Sequence, residues 1–192
     1  MVQSENANFL FWPSLGKVYF IREGMRRRFL LSHFKVVIRH AKAEDGAAWL
    51  TLIDALAVYE KLQPPDADAR ERLMKDAFGP QPRFDVYVAE ISDKIVGYAI
   101  ALETYSSFLA LPTFFLEDIF VVSEHRQCGV GTELFKHCVR EAYRRNCGRM
   151  EWMVLDWNQL AIDFYKRMGA GRLTEWVPYR MDRTAMKSIL GC

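Results

Sequence analysis

Apolar residues recur along this chain in two rhythms, and the switches between them mark out its elements. Val36-Val37-Ile38 is a short run of β-branched residues and predicts a strand. Asp45 then caps a helix in which Trp49, Leu50, Ile53, Leu56 and Ala57 fall at helical spacing, ending near Tyr59-Glu60 before Gln63-Pro64-Pro65. A more polar helix runs from Asp68 to about Ala77, with Leu73 and Phe78 on one face, and Gly79-Pro80-Gln81-Pro82 breaks it. Residues 85–91 and 95–101 are two β-rich runs around Ser92-Asp93-Lys94, the pattern of a hairpin. A loop through Ser106, Ser107 and Pro112 leads to a strand from Phe115 to Val122, apolar except for the adjacent Glu117 and Asp118.

Past Arg126, the positions Leu134, Phe135, Cys138, Val139 and Ala142 define an amphipathic helix, with Lys136, Arg140, Arg144 and Arg145 on its outer face. Met150 to Leu155 predicts a strand, 156–158 a turn, and Leu160, Ala161, Phe164, Tyr165 and Met168 a short helix ended by Gly169. Arg172 to Met181 reads as a closing pair of strands broken by Pro178, and Thr184 to Leu190 as a terminal helical turn. The order of elements predicts an α/β domain with a mixed sheet over residues 35–192. Residues 1–34 form an extension of unknown role.

Composition narrows the field. With 192 residues, 51% of them apolar, the chain can bury a single core. A net charge of +2 provides no field for nucleic acid as the main partner. No apolar run reaches the roughly 18 residues of a membrane span. The four cysteines include no C-x-x-C pair and the four histidines have no metal-ligand spacing, so reduced thiols in a cytoplasmic protein and no metal are expected. The basic run Arg26-Arg27-Arg28 suggests an organelle-import leader, which Glu5 and Glu23 oppose.

The candidate chemistry begins at Arg126-Gln127-Cys128-Gly129-Val130-Gly131-Thr132, between a predicted strand and a predicted helix. Glycines at 129 and 131 let the backbone turn tightly, and a helix opening there leaves N–H groups free to bind an anion. Arg126 adds a cation. On these residues alone the segment is either an anion site or a strand-to-helix turn that binds nothing.

Three linked motifs favour the first. Arg126, Gly129 and Gly131 follow an apolar strand, and Asn158, the pair Phe164-Tyr165 and Gly169 follow about thirty residues later. Over residues 36–181 this pattern resembles the GCN5-related N-acetyltransferases. Ile38-Arg39, Tyr59-Glu60, Phe115-Leu116-Glu117-Asp118 and Trp157-Asn158 resemble the diamine branch of that family, which includes spermidine/spermine and thialysine acetyltransferases.

The resemblance implies acetyl-CoA as co-substrate, a small-molecule amine as acceptor, direct transfer through a ternary complex, and a homodimer. It implies that Ile119, Phe120 and Val121 pair with the pantetheine arm and that residues 127–132 hold the pyrophosphate. Asn158, Gln159, Leu160 and Ala161 would contact the cofactor near its reacting end. Glu117 would be the base and Tyr165 the acid for the departing thiolate. Tyr59, Glu60, Asp118, Glu151, Trp152 and Met153 would meet the acceptor.

The acid–base need follows independently. An alkyl ammonium of pKa about 10.4 costs roughly 4 kcal/mol to deprotonate at neutral pH, and a carboxylate both attracts it and takes the proton. Glu117 and Asp118, as strand neighbours, are expected to point to opposite faces, so that only one meets a given cleft. The uncharged segment Ser106–Pro112 argues for a short acceptor over a long polycation. A protein or peptide acetyltransferase and a non-catalytic acyl-CoA-binding regulator remain as alternatives on the same fold.

Overall fold

The computed structural model describes residues 9–12, 17–20 and 35–191. Within the N-terminal extension, β1 (Phe9–Trp12) pairs antiparallel with β2 (Lys17–Phe20), Phe9 opposite Phe20. The basic run at 26–28, and with it the leader reading, lies outside the described residues. By its contacts the chain divides into two compact units, Met1–Trp152 and Met153–Cys192.

The first unit is built on a five-stranded sheet in the order β3-β4-β5-β6-β7. It comprises β3 (Val37–His40), β4 (Asp85–Ile91), β5 (Lys94–Ser106), β6 (Leu111–Val121) and β7 (Arg149–Glu151). All neighbours are antiparallel except β6 and β7, so the sheet is mixed, as expected. Helices α1 (Gly46–Glu60), α2 (Ala67–Phe78) and α3 (Val130–Arg144) complete the unit. Trp49 and Leu52 of α1 close one core with Val86, Val88, Tyr98, Ile100 and Phe120. On the other face, Val130 of α3 meets Ala89, Ile91, Val96 and Val121.

Local chemistry explains most boundaries. Asp66 caps α2, its carboxylate accepting from the Ala69 N–H at 2.8 Å. Ser92 and Asp93 both have positive φ, 49° and 61°, which makes the β4–β5 connection a two-residue hairpin turn. Asp45, expected as the cap of α1, does not cap it with its side chain. Its carboxylate is taken by Arg39, at 2.6 and 3.0 Å, and by the Lys42 N–H at 2.7 Å, and this closes a 3₁₀ turn, Ala43–Asp45, ahead of the helix.

Four further expectations are corrected. The presumed loop at 106–112 is the tip of a hairpin, because β5 and β6 keep pairing out to Ser106 opposite Leu111, with Pro112 opposite Tyr105. The strand at 150–155 is only Arg149–Glu151, since its parallel pairing covers no more than Thr113–Phe115 of β6. Arg145 is not on the outer face of α3; it caps the helix and turns its fork back to Asp85 at 2.6 Å and the Tyr87 hydroxyl at 2.7 Å. Residues 172–181 contain no strand: Trp176, Val177 and Tyr179 are exposed, and Pro178 lacks the N–H a ladder needs.

The second unit consists of α4 (Gln159–Arg167) and α5 (Arg183–Leu190) with the chain between them. The terminal helix is longer than one turn because Asp182 caps it, accepting from the Ala185 N–H at 2.8 Å. No helix among the described residues is long and apolar enough to cross a membrane.

Candidate active site

One residue of β6 has no partner on β5. Ile100 lies opposite Asp118 and Ala101 opposite Leu116, so Glu117 is the extra residue of a β-bulge. The bulge changes which face each side chain takes. Phe114 and Leu116 belong to the α3 side, where the Arg145 guanidinium sits 5.8 Å from the Phe114 ring. Two positions beyond Leu116, Asp118 belongs to the α1 side, where Tyr98 donates to its Oδ2 at 3.3 Å. Strict alternation through Glu117 and Asp118, expected from the sequence, therefore does not hold.

The bulge sits beside the C-terminal end of α1. Burial is the main cause that raises the Asp118 carboxyl, to about 6, and the charges of Glu117 and Glu60 raise it further. The Tyr98 hydroxyl acts the other way, by donating to the ionised form. Burial also raises Glu60. Glu117 is exposed and has no hydrogen-bond or ion-pair partner among the described residues. Three carboxylates thus converge, an arrangement that attracts an ammonium.

Arg126 does not extend into solvent. Its Nε donates to the Val121 carbonyl at 2.7 Å, and its guanidinium lies 4.7 Å from the Tyr59 ring and 5.2 Å from the Phe120 ring. It therefore joins the end of α1 to the end of β6 and the start of the loop. Beyond it, Gln127 and Gly129 have φ of 62° and 92°. The first backbone bond at the N-terminal end of α3 is Glu133 N–H to Gly129 at 3.0 Å, so the N–H groups before it point out of the helix end. A Cβ added at Gly129 would meet nothing within 4 Å. Open space in front of turned-out N–H groups at the positive end of a 15-residue helix fits the pyrophosphate of coenzyme A.

The far edge of β6 is also suited to an extended arm. β7 covers only Thr113–Phe115, so Leu116–Val121 has no strand on that side among the described residues. Glu151 is held by Arg149 at 2.9 Å, and Trp152 packs edge-on against Phe135 of α3.

Met153, Asn158, Gln159, Leu160, Ala161 and Tyr165 all lie in the second unit. Asn158 caps α4, accepting from the Ala161 N–H at 3.2 Å, and Gln159 donates to Asp163 at 2.7 Å. Gly169, at φ 89°, ends the helix, with Ala170 N–H bonded to the Tyr165 carbonyl at 3.0 Å. Tyr165 and Phe164 stack edge to face at 5.4 Å.

Tyr98 was not among the residues expected in the site. Periodicity marks it as an inward strand position, but its pairing with Asp118 depends on a register that only the folded sheet supplies.

Known proteins resemble this chain in sequence and in fold. The sequence model of the acetyltransferase (GNAT) family matches residues 55–170. A thialysine N-epsilon-acetyltransferase of Sus scrofa is 36% identical over 167 residues, 81% of this chain and 98% of that protein. An L-ornithine N5-acetyltransferase of Arabidopsis thaliana is 36% identical over 115 residues, 60% of this chain and 47% of that protein. Among solved structures, an aminoglycoside N-acetyltransferase in complex with CoA superposes with a TM-score of 0.64 at 22% identity, covering 77% of this chain and 95% of that one.

Proposed function

This chain belongs to the acetyltransferase (GNAT) family and is an N-acetyltransferase with acetyl-CoA as co-substrate, and from that premise we propose that its acceptor is a primary amine on a small molecule carrying a second charge, such as a thialysine-like amino acid or a short diamine. The observation that carries this reading is the convergence of Glu60, Glu117 and Asp118 beside the open edge of β6. The names of the relatives support it, since thialysine and ornithine are both diamino acids.

In this reading Gln127 to Thr132 bind the pyrophosphate through backbone N–H groups. The edge at Ile119, Phe120 and Val121 aligns the pantetheine arm as an added strand does. Carboxylates of the bulge hold the ammonium, and Glu117 accepts its proton, directly or through water. The freed lone pair attacks the thioester carbonyl, and a strand N–H near Ile119 stabilises the oxyanion. Tyr165 donates a proton to the departing thiolate, with Asn158 fixing the start of its helix. The hairpin tip at 106–111 lies about 17 Å along the strands from the bulge, so only a long acceptor would reach its uncharged surface. A homodimer, as the resemblance implies, in the cytoplasm, as the cysteine usage suggests, completes the proposal.

The test is thiol release across thialysine, lysine, ornithine, putrescine, spermidine, spermine and a lysine peptide. Diamino acids and short diamines are expected to exceed spermine and the peptide at least tenfold in kcat/KM. Spermine or the peptide as best acceptor would overturn the assignment. Tyr165→Phe is expected to lower kcat at least tenfold while acetyl-CoA affinity stays within threefold; equal loss of both would make Tyr165 a binding residue instead.

A further inference from the structure

Tyr98 is fully buried, yet its hydroxyl reaches Asp118, a partly buried carboxylate of the acceptor cluster. The register explains how. Tyr98 lies opposite Phe120 and Ile100 opposite Asp118, so Tyr98 and Asp118 are diagonal neighbours on the α1 side of the sheet. Without the bulge at Glu117, Asp118 would face α3 and the contact could not form.

We propose that Tyr98 is a positioning residue of the acceptor site: its hydroxyl pins the Asp118 carboxylate beside Glu60 and Glu117, and keeps it in the ionised form that an incoming ammonium requires. The inference rests on the acceptor being an amine, as argued above.

The surrounding charges make such a device necessary. From β6, Glu117 presses Asp118 towards its neutral form, and from α1, Glu60 does the same. Arg126, a cation on that side, has its guanidinium set over the Tyr59 and Phe120 rings and its Nε on the Val121 carbonyl. Tyr98 is the group that donates to the carboxylate, and it is a dependable donor. Burial first, then the charges of Asp118 and Glu60, hold its phenol protonated well above the ordinary range. Asp118 itself, raised to about 6, stands close enough to neutrality for one hydrogen bond to matter.

Tyr98→Phe keeps the ring in the core and removes only the donor. The acid limb of kcat/KM against pH is expected to move up by roughly half to one pH unit. At pH 6 that lowers kcat/KM about two- to fivefold, while at pH 9 the variant matches the wild type. A merely structural role would lower activity evenly at all pH values and leave the limb in place. Asp118→Asn is expected to abolish the limb near pH 6; its persistence there would assign it to Glu60 or Glu117 and overturn the proposal.

The 13Cγ resonance of Asp118, titrated in the full chain without any acceptor, provides a readout that does not depend on the amine assignment. Its midpoint is expected near pH 6 and to rise in Tyr98→Phe; an unmoved midpoint overturns the proposal. If the midpoint rises but no amine of the panel is acetylated, the acceptor assignment has failed and the role of Tyr98 towards Asp118 stands.

Discussion

Asp118 ionises at about 6 in the folded protein and at about 3.8 in the unfolded chain. A carboxyl raised on folding contributes stability that is complete below its unfolded pKa and is lost as pH rises through the folded one. Above pH 6 the charged form therefore costs the fold on the order of 2–3 kcal/mol. Asp118→Asn is expected to raise Tm by several degrees at pH 8, and the gain should shrink through the window from 6 to 4 and vanish below it. Thermal melts at pH 8 and pH 3.5 check this. A residue that weakens the fold while serving the reaction is the usual bargain of an active site. The two acids were legible in the sequence as a pair, and so was Glu60 at the end of its helix. Their relative facing was not, because a bulge is defined by what lies on the neighbouring strand.

Among the elements, the loop and the helix it opens were read most fully from sequence, since their signals are local. Gly129 at φ 92° and Gln127 at φ 62° hold the turn open, and Gln127 adopts the left-handed conformation that glycine would have taken freely. Gly129→Ala meets no steric obstacle, so its whole effect comes from backbone strain, roughly 1–2 kcal/mol. It is expected to weaken acetyl-CoA about tenfold in titration calorimetry, whereas Gln127→Gly should leave affinity within threefold. Asn158 and Gly169 were legible for a different reason than their place in a family motif: they are the start and stop signals of α4, and any helix there would favour them. The strands expected at 172–181 failed because pairing is a long-range event, and short apolar runs beside a proline do not specify a partner.

Across the first unit, α3 links two unlike ends. At its N-terminus the loop faces an anion; about 22 Å away, its C-terminus is clamped to the sheet by Arg145. That fork reaches Asp85, Glu103, Glu141 and the Tyr87 hydroxyl, and His40 meets Asp85 from β3 at 3.1 Å. His40 and then Arg145 hold Asp85 below the usual carboxylate range; Arg144 does so for Glu141 and Arg39 for Asp45. Carboxyls lowered on folding contribute stability above their unfolded pKa and lose it as pH falls through the folded one. Urea midpoints are thus expected to drop steeply below about pH 4. Arg145→Ala should cost about 2 kcal/mol at pH 7, by removing the cation that Asp85, Glu103 and Glu141 share, and should flatten that acid limb. None of this network was visible in a helix pattern that assigned every arginine of α3 to solvent.

Because β6 holds one residue more than β5 can match, the side chains from Asp118 to Val121 owe their facing to a count, not to an identity. Substituting Glu117 exchanges one functional group. Pairing it regularly opposite Ile100 would reverse the parity of four positions together, turning Asp118 and Phe120 to the α3 side and Ile119 and Val121 to the α1 side. The acceptor site and both cores are written in the same reading frame of the strand, and a one-residue slip in its pairing would misplace them all.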